Sequence, residues 1–517
     1  MKNKTELKTN KNLKLIAKSS GVVFIGLFLS KVFTYLYRII IARNFGSEVY
    51  GLFSLAFTIS SIFVAIALLG FADGLVRYIA LYRGKNENEK IKYVFRFVLS
   101  ISLIAGFFLS LILFLGSDFI SVNIFHNSEL AIFLKIFSAA VFLMVVFGVF
   151  FSVLRAFEKI FWYSLITNIS QNFLKILFLL LLIFIGLNSN AVSLSYVLSI
   201  LGALIFSYII CKYQIPWIFK KSTLVKGKKN EIRGELMKYS LPIMFLGIFS
   251  FLFNNLDSLA LGFFKNASEV GIYNTAIIIV SMVWFTQELF MQLFLPLVTK
   301  EFSRGNLVLV KEISKQVGKW IFAINLPISI IVILFPNAVI NILFGSQFIA
   351  AGNALRILGI GQLIFSLGSL STNLILITGR SKLVLINLIA IALVNFILEI
   401  ILVPGYGLIG AALAATISMS LLSLILLIEV KYLLSMTPLR RKMGQMLLVS
   451  IIPALGLFYL RKIIILTPLN MGLLVLMFFL VYFILLFLTR CFDKNDLLII
   501  KGIKKRIINL SHSQLSD

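Results

Sequence analysis

Long apolar runs, broken by short polar gaps, recur almost from end to end of the chain. Runs of about 18 or more apolar residues are long enough to cross the hydrocarbon core of a bilayer as helices. The pattern predicts crossings near Gly21–Ala42, Tyr50–Phe71, Ile91–Gly116, Ala131–Leu154, Trp162–Leu187 and Ala191–Tyr213. After the basic stretch "PWIFKKSTLVKGKKNEIRGE" come six more, near Leu236–Phe264, Val270–Val298, Gln316–Phe335, Gly352–Ile377, Leu383–Val403 and Gly407–Tyr432. Two last helices, near Gln445–Leu460 and Leu466–Leu488, precede a basic tail. The expected fold is therefore an all-α polytopic membrane protein of about fourteen helices. Its predicted segments are a tail (1–20), an N-terminal six-helix lobe (21–215), a basic linker (216–235), a C-terminal six-helix lobe (236–433), two extra helices (445–488) and a second tail (489–517).

Composition agrees: 60% of the 517 residues are hydrophobic and 13% are charged, about half the charge of a soluble chain. Mean hydropathy is +1.03. A net charge of +28 would suggest nucleic acid in a soluble protein. Here the basic residues lie in the gaps, where they orient helices in the membrane. One set of gaps carries Lys2 to Lys18, then Arg77, Arg83, Lys85, Lys90 and Lys92, then Arg155 and Lys159. The same set continues with Lys220, Lys221, Lys226, Lys228, Lys229 and Arg233, then Lys300, Arg304, Lys311 and Lys315, then Arg380, Lys382, Arg440, Arg441 and Lys442. The alternate gaps hold little beyond Arg43, Lys265, Arg461 and Lys462. Both termini are thus expected in the cytoplasm. The first run lacks a cleavage site and is expected to stay as an anchor. The outer loops, "SDFISVNIFHNSEL" and "FPNAVINILFGSQFIA" the longest, leave no room for an extracytoplasmic catalytic domain.

The polar residues betray a duplication. "GSEVYG" around Ser47 returns as "ASEVG" around Ser268, and Arg83-Gly84 returns as Arg304-Gly305 at the same offset. Asn172-Phe173 returns as Asn395-Phe396 at nearly that spacing. Six helices per copy is even, so the copies are parallel repeats about an axis along the membrane normal, with a substrate path expected between them.

Ionisable groups inside a bilayer are costly and normally face a cavity or one another. Lys31, Tyr35 and Arg38 share one face of the first helix. Lys175 lies in the fifth, on a polar stripe with Asn168, Gln171 and Asn172. Asp257 follows Asn254 and Asn255, Glu288 lies between Gln287 and Gln292, and Glu399 follows Asn395 by one turn. Two readings stay open for these groups. Lys31, Arg38, Tyr35 and Lys175 offer an anionic head group, such as a pyrophosphate, the contacts it needs. Asp257, Glu288 and Glu399 then bind a coupling proton or Na⁺. Alternatively the charges pair across helices, for instance Arg38 with Asp257 or Lys175 with Glu399, or Arg38 snorkels to the surface.

Asp73 and Arg77, spaced i,i+4, are expected to pair with each other. His126 and His512 are expected to be solvated, and Cys211 and Cys491 imply neither a disulfide nor a metal site. No P-loop, HExxH or paired-cysteine motif occurs, so ATP-driven transport by this chain is not expected. Nor is a cofactor or a catalytic residue.

"SKVFTYLYRIIIARNFGSEVYGLFSLA", "NNLDSLALGFFKNASEVGIYNTA" and "PGYGLIGAALAATIS" resemble the first, seventh and twelfth helices of the multidrug/oligosaccharidyl-lipid/polysaccharide exporter superfamily. The resemblance covers nearly the whole chain and is greatest to the polysaccharide and O-antigen-type flippases. It implies two six-helix lobes, alternating access, and passage of a polyprenyl-pyrophosphate-linked glycan to the outer leaflet. It maps the family's cationic first-helix residues onto Lys31 and Arg38. Where lipid II flippases tend to show Arg this chain has Lys31, and its next arginine is displaced by one residue.

The expected function is a flippase in the cell membrane, moving a polyprenyl-(pyro)phosphate-linked oligosaccharide for surface polysaccharide or glycan assembly. Its expected partners are that glycan, membrane lipids, and glycan polymerases or glycosyltransferases, with no nucleic acid. A drug or cation antiporter of the same fold would want acids in helices one to six, where the predicted core holds bases instead. A lipid II flippase is a further alternative. A membrane glycosyltransferase or polymerase would need carboxylates in a site outside the bilayer, which the short gaps do not provide.

Overall fold

The computed structural model describes residues 2–464 and 467–491. The basic tail expected beyond Cys491, with Lys494, Lys501, Lys504, Lys505, Arg506 and His512, lies outside the described residues. Every regular element among the described residues is helical. Thirteen segments are long and apolar enough to cross a membrane. The first, Gly26–Ala67, has 42 residues, about 63 Å of helix against a core of about 30 Å. Its only non-helical residue is Gly46, at φ 80° and ψ −175°, so it makes two crossings and the total is fourteen. We label residues 26–45 α1 and residues 47–67 α2. There follow α3 (Asn88–Ile124), α4 (Leu130–Ala156), α5 (Ile160–Phe184), α6 (Asn190–Gln214) and α7 (Lys226–Phe264). Next are α8 (Ala267–Ser303), α9 (Leu307–Leu334), α10 (Ser346–Ile377), α11 (Ser381–Tyr406), α12 (Leu408–Leu434), α13 (Arg441–Ile463) and α14 (Pro468–Leu488).

The repeated phrase marks where the two lobes touch. The gap predicted between Ala42 and Tyr50 shrinks to the single residue Gly46. Ser47 Oγ and Ser268 Oγ are hydrogen-bonded at 2.7 Å. Beside them a Cβ on Gly51 would strike the Ala267 carbonyl, and a Cβ on Gly271 would strike the Ser47 carbonyl. Small residues let helix backbones approach closely in a membrane, where dispersion rather than the hydrophobic effect holds helices together. Around this crossing one continuous buried cluster joins both lobes, from Tyr50, Leu55 and Tyr196 to Val270, Tyr273, Phe348 and Ala411.

At the opposite end the cores separate. One cluster gathers Phe71, Leu75, Phe95, Val149 and Ala203 of the N-terminal lobe. Another gathers Phe294, Ile321, Leu374 and Leu426 of the C-terminal lobe. Helix α7 bridges them. Its first turns bury Ile232, Leu236 and Ser240 at i, i+4 and i+8, with Ile232 and Leu236 packed into the N-terminal core. Helix α7 thus begins at Lys226, ten residues before the predicted start at Leu236. The polar composition of that stretch hid an amphipathic helix whose charged face is exposed. Pro242 follows within the helix.

Three other expectations change. The second crossing ends at Ala67, not Phe71, because Leu69 and Gly70 take positive φ (49° and 68°). A separate short helix, Phe71–Gly84, then begins. On it Asp73 pairs with Arg155 of α4 at 3.4 Å, while the Arg77 guanidinium stacks 4.1 Å over the Tyr239 ring. The predicted Asp73–Arg77 pair is replaced by tertiary partners. The presumed loop "FPNAVINILFGSQFIA" is a short helix, Pro336–Phe344, and the tight first turns of α10, Ser346–Ala351. They bury Ile340, Phe344 and Phe348, and Arg43 donates to the Ile342 and Leu343 carbonyls. Cys211 and Cys491 are free and buried.

Large apolar side chains stay exposed along whole helix faces, for instance Ile104, Phe107, Leu111 and Leu115 on α3 and Leu476, Leu480 and Phe487 on α14. Patches of that extent suit lipid, not water. The chain is a multi-pass membrane protein.

Candidate functional site

Helix α1 turns a polar face to α8 of the other lobe and to α5 of its own. Lys31 Nζ lies 3.5 Å from Glu288 Oε2 on α8, and the side chains are 34% and 45% exposed. The same ammonium sits 5.7 Å above the Phe285 ring. One turn on, the Tyr35 hydroxyl and Ser281 Oγ of α8 are 3.1 Å apart. Arg38 donates to the Tyr50 hydroxyl at 3.2 Å. Of the pairings that the sequence left open, neither Arg38–Asp257 nor Lys175–Glu399 forms. Glu288 is the acid that meets a base, because α1 and α8 run side by side from the crossing at Ser47 and Ser268.

Lys175 is held from within its own lobe. Residues Leu165–Ser170 of α5 form a π-helical turn, which rotates the residues after it relative to an α-helix; such turns are frequent at functional sites. Beyond it the Asn172 amide donates to Ser30 Oγ at 3.0 Å, and its carbonyl accepts from Lys175 Nζ at 3.1 Å and Thr34 Oγ1 at 3.4 Å. Asn172 therefore ties α5 to α1. The Lys175 ammonium also lies 5.2 Å above the Tyr196 ring, within cation–π range. It is close enough to Arg38 for the two charges to interact. Among the described residues neither Lys175 nor Arg38 makes an ion pair.

The C-terminal lobe inverts this polarity. Asp257 on α7 is 7% exposed and Glu399 on α11 is 1% exposed. The Tyr273 hydroxyl donates to Asp257 Oδ2 at 2.6 Å. Glu399 lies near enough to Asp257 for the two carboxyls to share a hydrogen bond when one is protonated, and no N–H or O–H donor among the described residues bonds its two oxygens. Ser418 Oγ of α12 donates to Asn395 Oδ1 at 3.1 Å. Asp257 and Asn395 line a cavity of about 120 Å³ with Asn254, Ser281, Trp284 and Gln362. That is room for a few waters or one small ion.

The seven candidates thus fall into two groups. Lys31, Tyr35, Arg38 and Lys175 form a cationic wall, with Glu288 facing it from α8. Asp257 and Glu399 form a separate buried pair. Tyr50, Phe285 and Tyr196, which hold the cations, and Tyr273, which holds Asp257, are the residues that sequence reasoning missed. A phenol inside an apolar run must find a partner when buried, which was the available signal for the tyrosines.

Comparison with known proteins gives a consistent result. Residues 16–286 match the polysaccharide biosynthesis protein family. The chain is 21% identical over 445 residues to the lipid II flippase MurJ of Bacillus subtilis, covering 78% of this chain and 80% of that one. It is 22% identical over 205 residues to the probable low-salt glycan biosynthesis flippase Agl15 of Haloferax volcanii, covering 40% and 43%. A solved structure of a lipid II flippase MurJ in an inward closed conformation superimposes with a TM-score of 0.72 at 18% identity, over 90% of this chain and 98% of that one.

Proposed function

Since the chain belongs to the polysaccharide biosynthesis protein family, within the multidrug/oligosaccharidyl-lipid/polysaccharide exporter superfamily, we propose that it is a flippase for a polyprenyl-(pyro)phosphate-linked oligosaccharide. In this reading it works by alternating access, with both termini in the cytoplasm. The observation that carries the proposal is the segregation of charge between the lobes. Among the described residues the N-terminal lobe presents Arg38 and Lys175 without a carboxylate partner, beside Lys31, whose partner reaches over from the other lobe. Two unneutralised cations in a bilayer interior are costly, and a phosphate entering between the lobes offsets that cost. Arg38 suits bidentate binding of phosphate oxygens, and Lys31 and Lys175 act as point charges. Tyr35 adds a hydroxyl donor.

The buried acids supply the coupling. Two neighbouring carboxyls without a basic partner cannot both stay ionised in a dry interior, so the Asp257–Glu399 pair holds a proton or a Na⁺ ion. The groups present fit either: the Asp257 carboxyl and Asn395 at a cavity of about 120 Å³, with the Glu399 carboxyl buried beside Asp257. Lobe motion that exposes the pair to one side of the membrane, and then the other, would link ion entry to glycan movement. Glycosyltransferases that build the lipid-linked glycan and polymerases that consume it are the expected partners. A cation or drug antiporter is disfavoured, since the wall on α1 and α5 would repel its substrate.

The test replaces Arg38 and Lys175 by Gln, singly and together, in cells that depend on this protein for surface glycan. The expected result is loss of surface glycan, with lipid-linked glycan trapped on the inner leaflet and normal protein level. Normal surface glycan in the double variant would sink the head-group role.

A further inference from the structure

A basic concavity lies at the end of the C-terminal lobe where its core is separate, and none of its lining residues belongs to the candidate site above. It is a cavity of about 580 Å³ between α9, the end of α12 and the start of α13. Lys311, Lys315, Lys431, Arg440, Arg441 and Lys442 line it, with Ser435 and Thr437 as hydroxyl donors. No carboxylate lines it among the described residues.

The cavity is built rather than incidental. Lys311 and Lys315 stand one turn apart on α9, half-buried, so both point to the same side. The connection after α12 turns back at Ser435, which takes a left-handed conformation at φ 50°. It then presses on α9 at Gly318, where a Cβ would strike the Pro438 carbonyl. Arg440 donates to Gln316 of α9, and Lys442 donates to the Arg490 carbonyl after α14 at 2.7 Å. These contacts hold Arg441 and Lys442 over the same hollow as the α9 lysines. Among the described residues Lys311, Lys315, Lys431 and Arg441 have no carboxylate partner. Gathering like charges into a concavity is unfavourable unless an anion fills it.

We propose that this cavity binds the head group of an anionic phospholipid of the inner leaflet. It lies at the ends of membrane-spanning helices, on the side that the distribution of Lys and Arg assigns to the cytoplasm, where anionic lipid heads reside. Basic pockets between helices at that depth suit phosphate diesters. The chain's own tail is a poor occupant, because residues 492–517 carry five basic against three acidic side chains. The proposal does not depend on what the interlobe space transports.

The test uses the full-length protein, purified and reconstituted in nanodiscs of phosphatidylcholine. Titration with phosphatidylglycerol is expected to raise the unfolding temperature saturably, and native mass spectrometry is expected to retain the lipid on the protein. The triple variant Lys311→Gln, Lys315→Gln, Arg441→Gln is expected to bind on the order of a hundredfold more weakly, each charge near the membrane surface contributing roughly fivefold. A control triple at the corresponding end of the other lobe, Lys220→Gln, Lys221→Gln, Lys228→Gln, is expected to bind as the parent does. An equal loss in both triples would overturn the proposal by reducing the effect to general surface charge. Equal stabilisation of the parent by phosphatidylcholine would do so without any variant. Saturation by millimolar inorganic phosphate with the same shift would identify a free-phosphate site and overturn the lipid assignment.

Discussion

The Lys31–Glu288 pair makes a quantitative prediction, because Glu288 occupies the place that an incoming anion would take beside Lys31. At 3.5 Å two unit charges attract by roughly 5 kcal/mol at an effective dielectric of about 20. Both side chains are a third to a half exposed, so water screens most of this, and about 1 kcal/mol is the appropriate figure. A head group binding at Lys31 must forgo that contribution. Replacing Glu288 by Gln should therefore tighten binding of a short-chain polyprenyl pyrophosphate about fivefold, since roughly 1.4 kcal/mol is a factor of ten. Lys31→Ala should weaken it. The assay is equilibrium binding to the full-length protein in nanodiscs, with a double-mutant cycle. In the Lys31→Ala background Glu288→Gln should have no further effect. If Glu288→Gln weakens binding as Lys31→Ala does, Glu288 contacts the substrate rather than competing with it. If the tightening persists without Lys31, the acid acts on the general field and the pairwise argument fails.

Two other predictions concern the crossing and the acids. With Ser47 Oγ and Ser268 Oγ at 2.7 Å, the pair Ser47→Cys, Ser268→Cys should cross-link under mild oxidation, which the buried native cysteines would not confuse. The cross-link, read as two lobes that stay joined after cleavage in the 215–225 connection, should stop glycan export until reduced; export at full rate in the oxidised protein would show that this contact need not open. Asp257→Asn and Glu399→Gln should each uncouple export from the ion gradient while leaving head-group binding within about twofold, measured in proteoliposomes with imposed Na⁺ or proton gradients, and retention of gradient-driven export in both would remove the pair from coupling.

The membrane class, the number of crossings and the two-lobe plan were legible because bilayer thickness imposes a length on each apolar run and a cost on each charge. The cation and acid positions stood out for the same reason: Lys31 and Glu399 are conspicuous in runs that otherwise avoid charge. Less legible were segments whose burial depends on a partner. The 226–240 stretch looked like a linker because its charged face dominates the composition, while only every fourth residue packs on the other lobe. The 336–351 segment looked like a loop because its packing surface, and the Arg43 that caps its carbonyls, lie some 300 residues away in the chain.

Periodicity, charge bias and the repeated phrase thus determined a duplicated, multi-pass transporter with basic groups in one lobe and acids in the other. Those signals are read from the order of residues along the chain and need no contact between helices. Which charge meets which was decided only by the tertiary structure. Gly51 and Gly271 let the lobes approach until Ser47 meets Ser268, and that contact sets α1 against α8. Lys31 thereby meets Glu288, Arg38 and Lys175 keep no carboxylate among the described residues, and Asp257 and Glu399 are left to each other in the opposite lobe. Sequence shows which groups pay to be in the membrane, but pairing depends on the height and rotation of neighbouring helices, and those are fixed by the packing of residues far from the charges themselves.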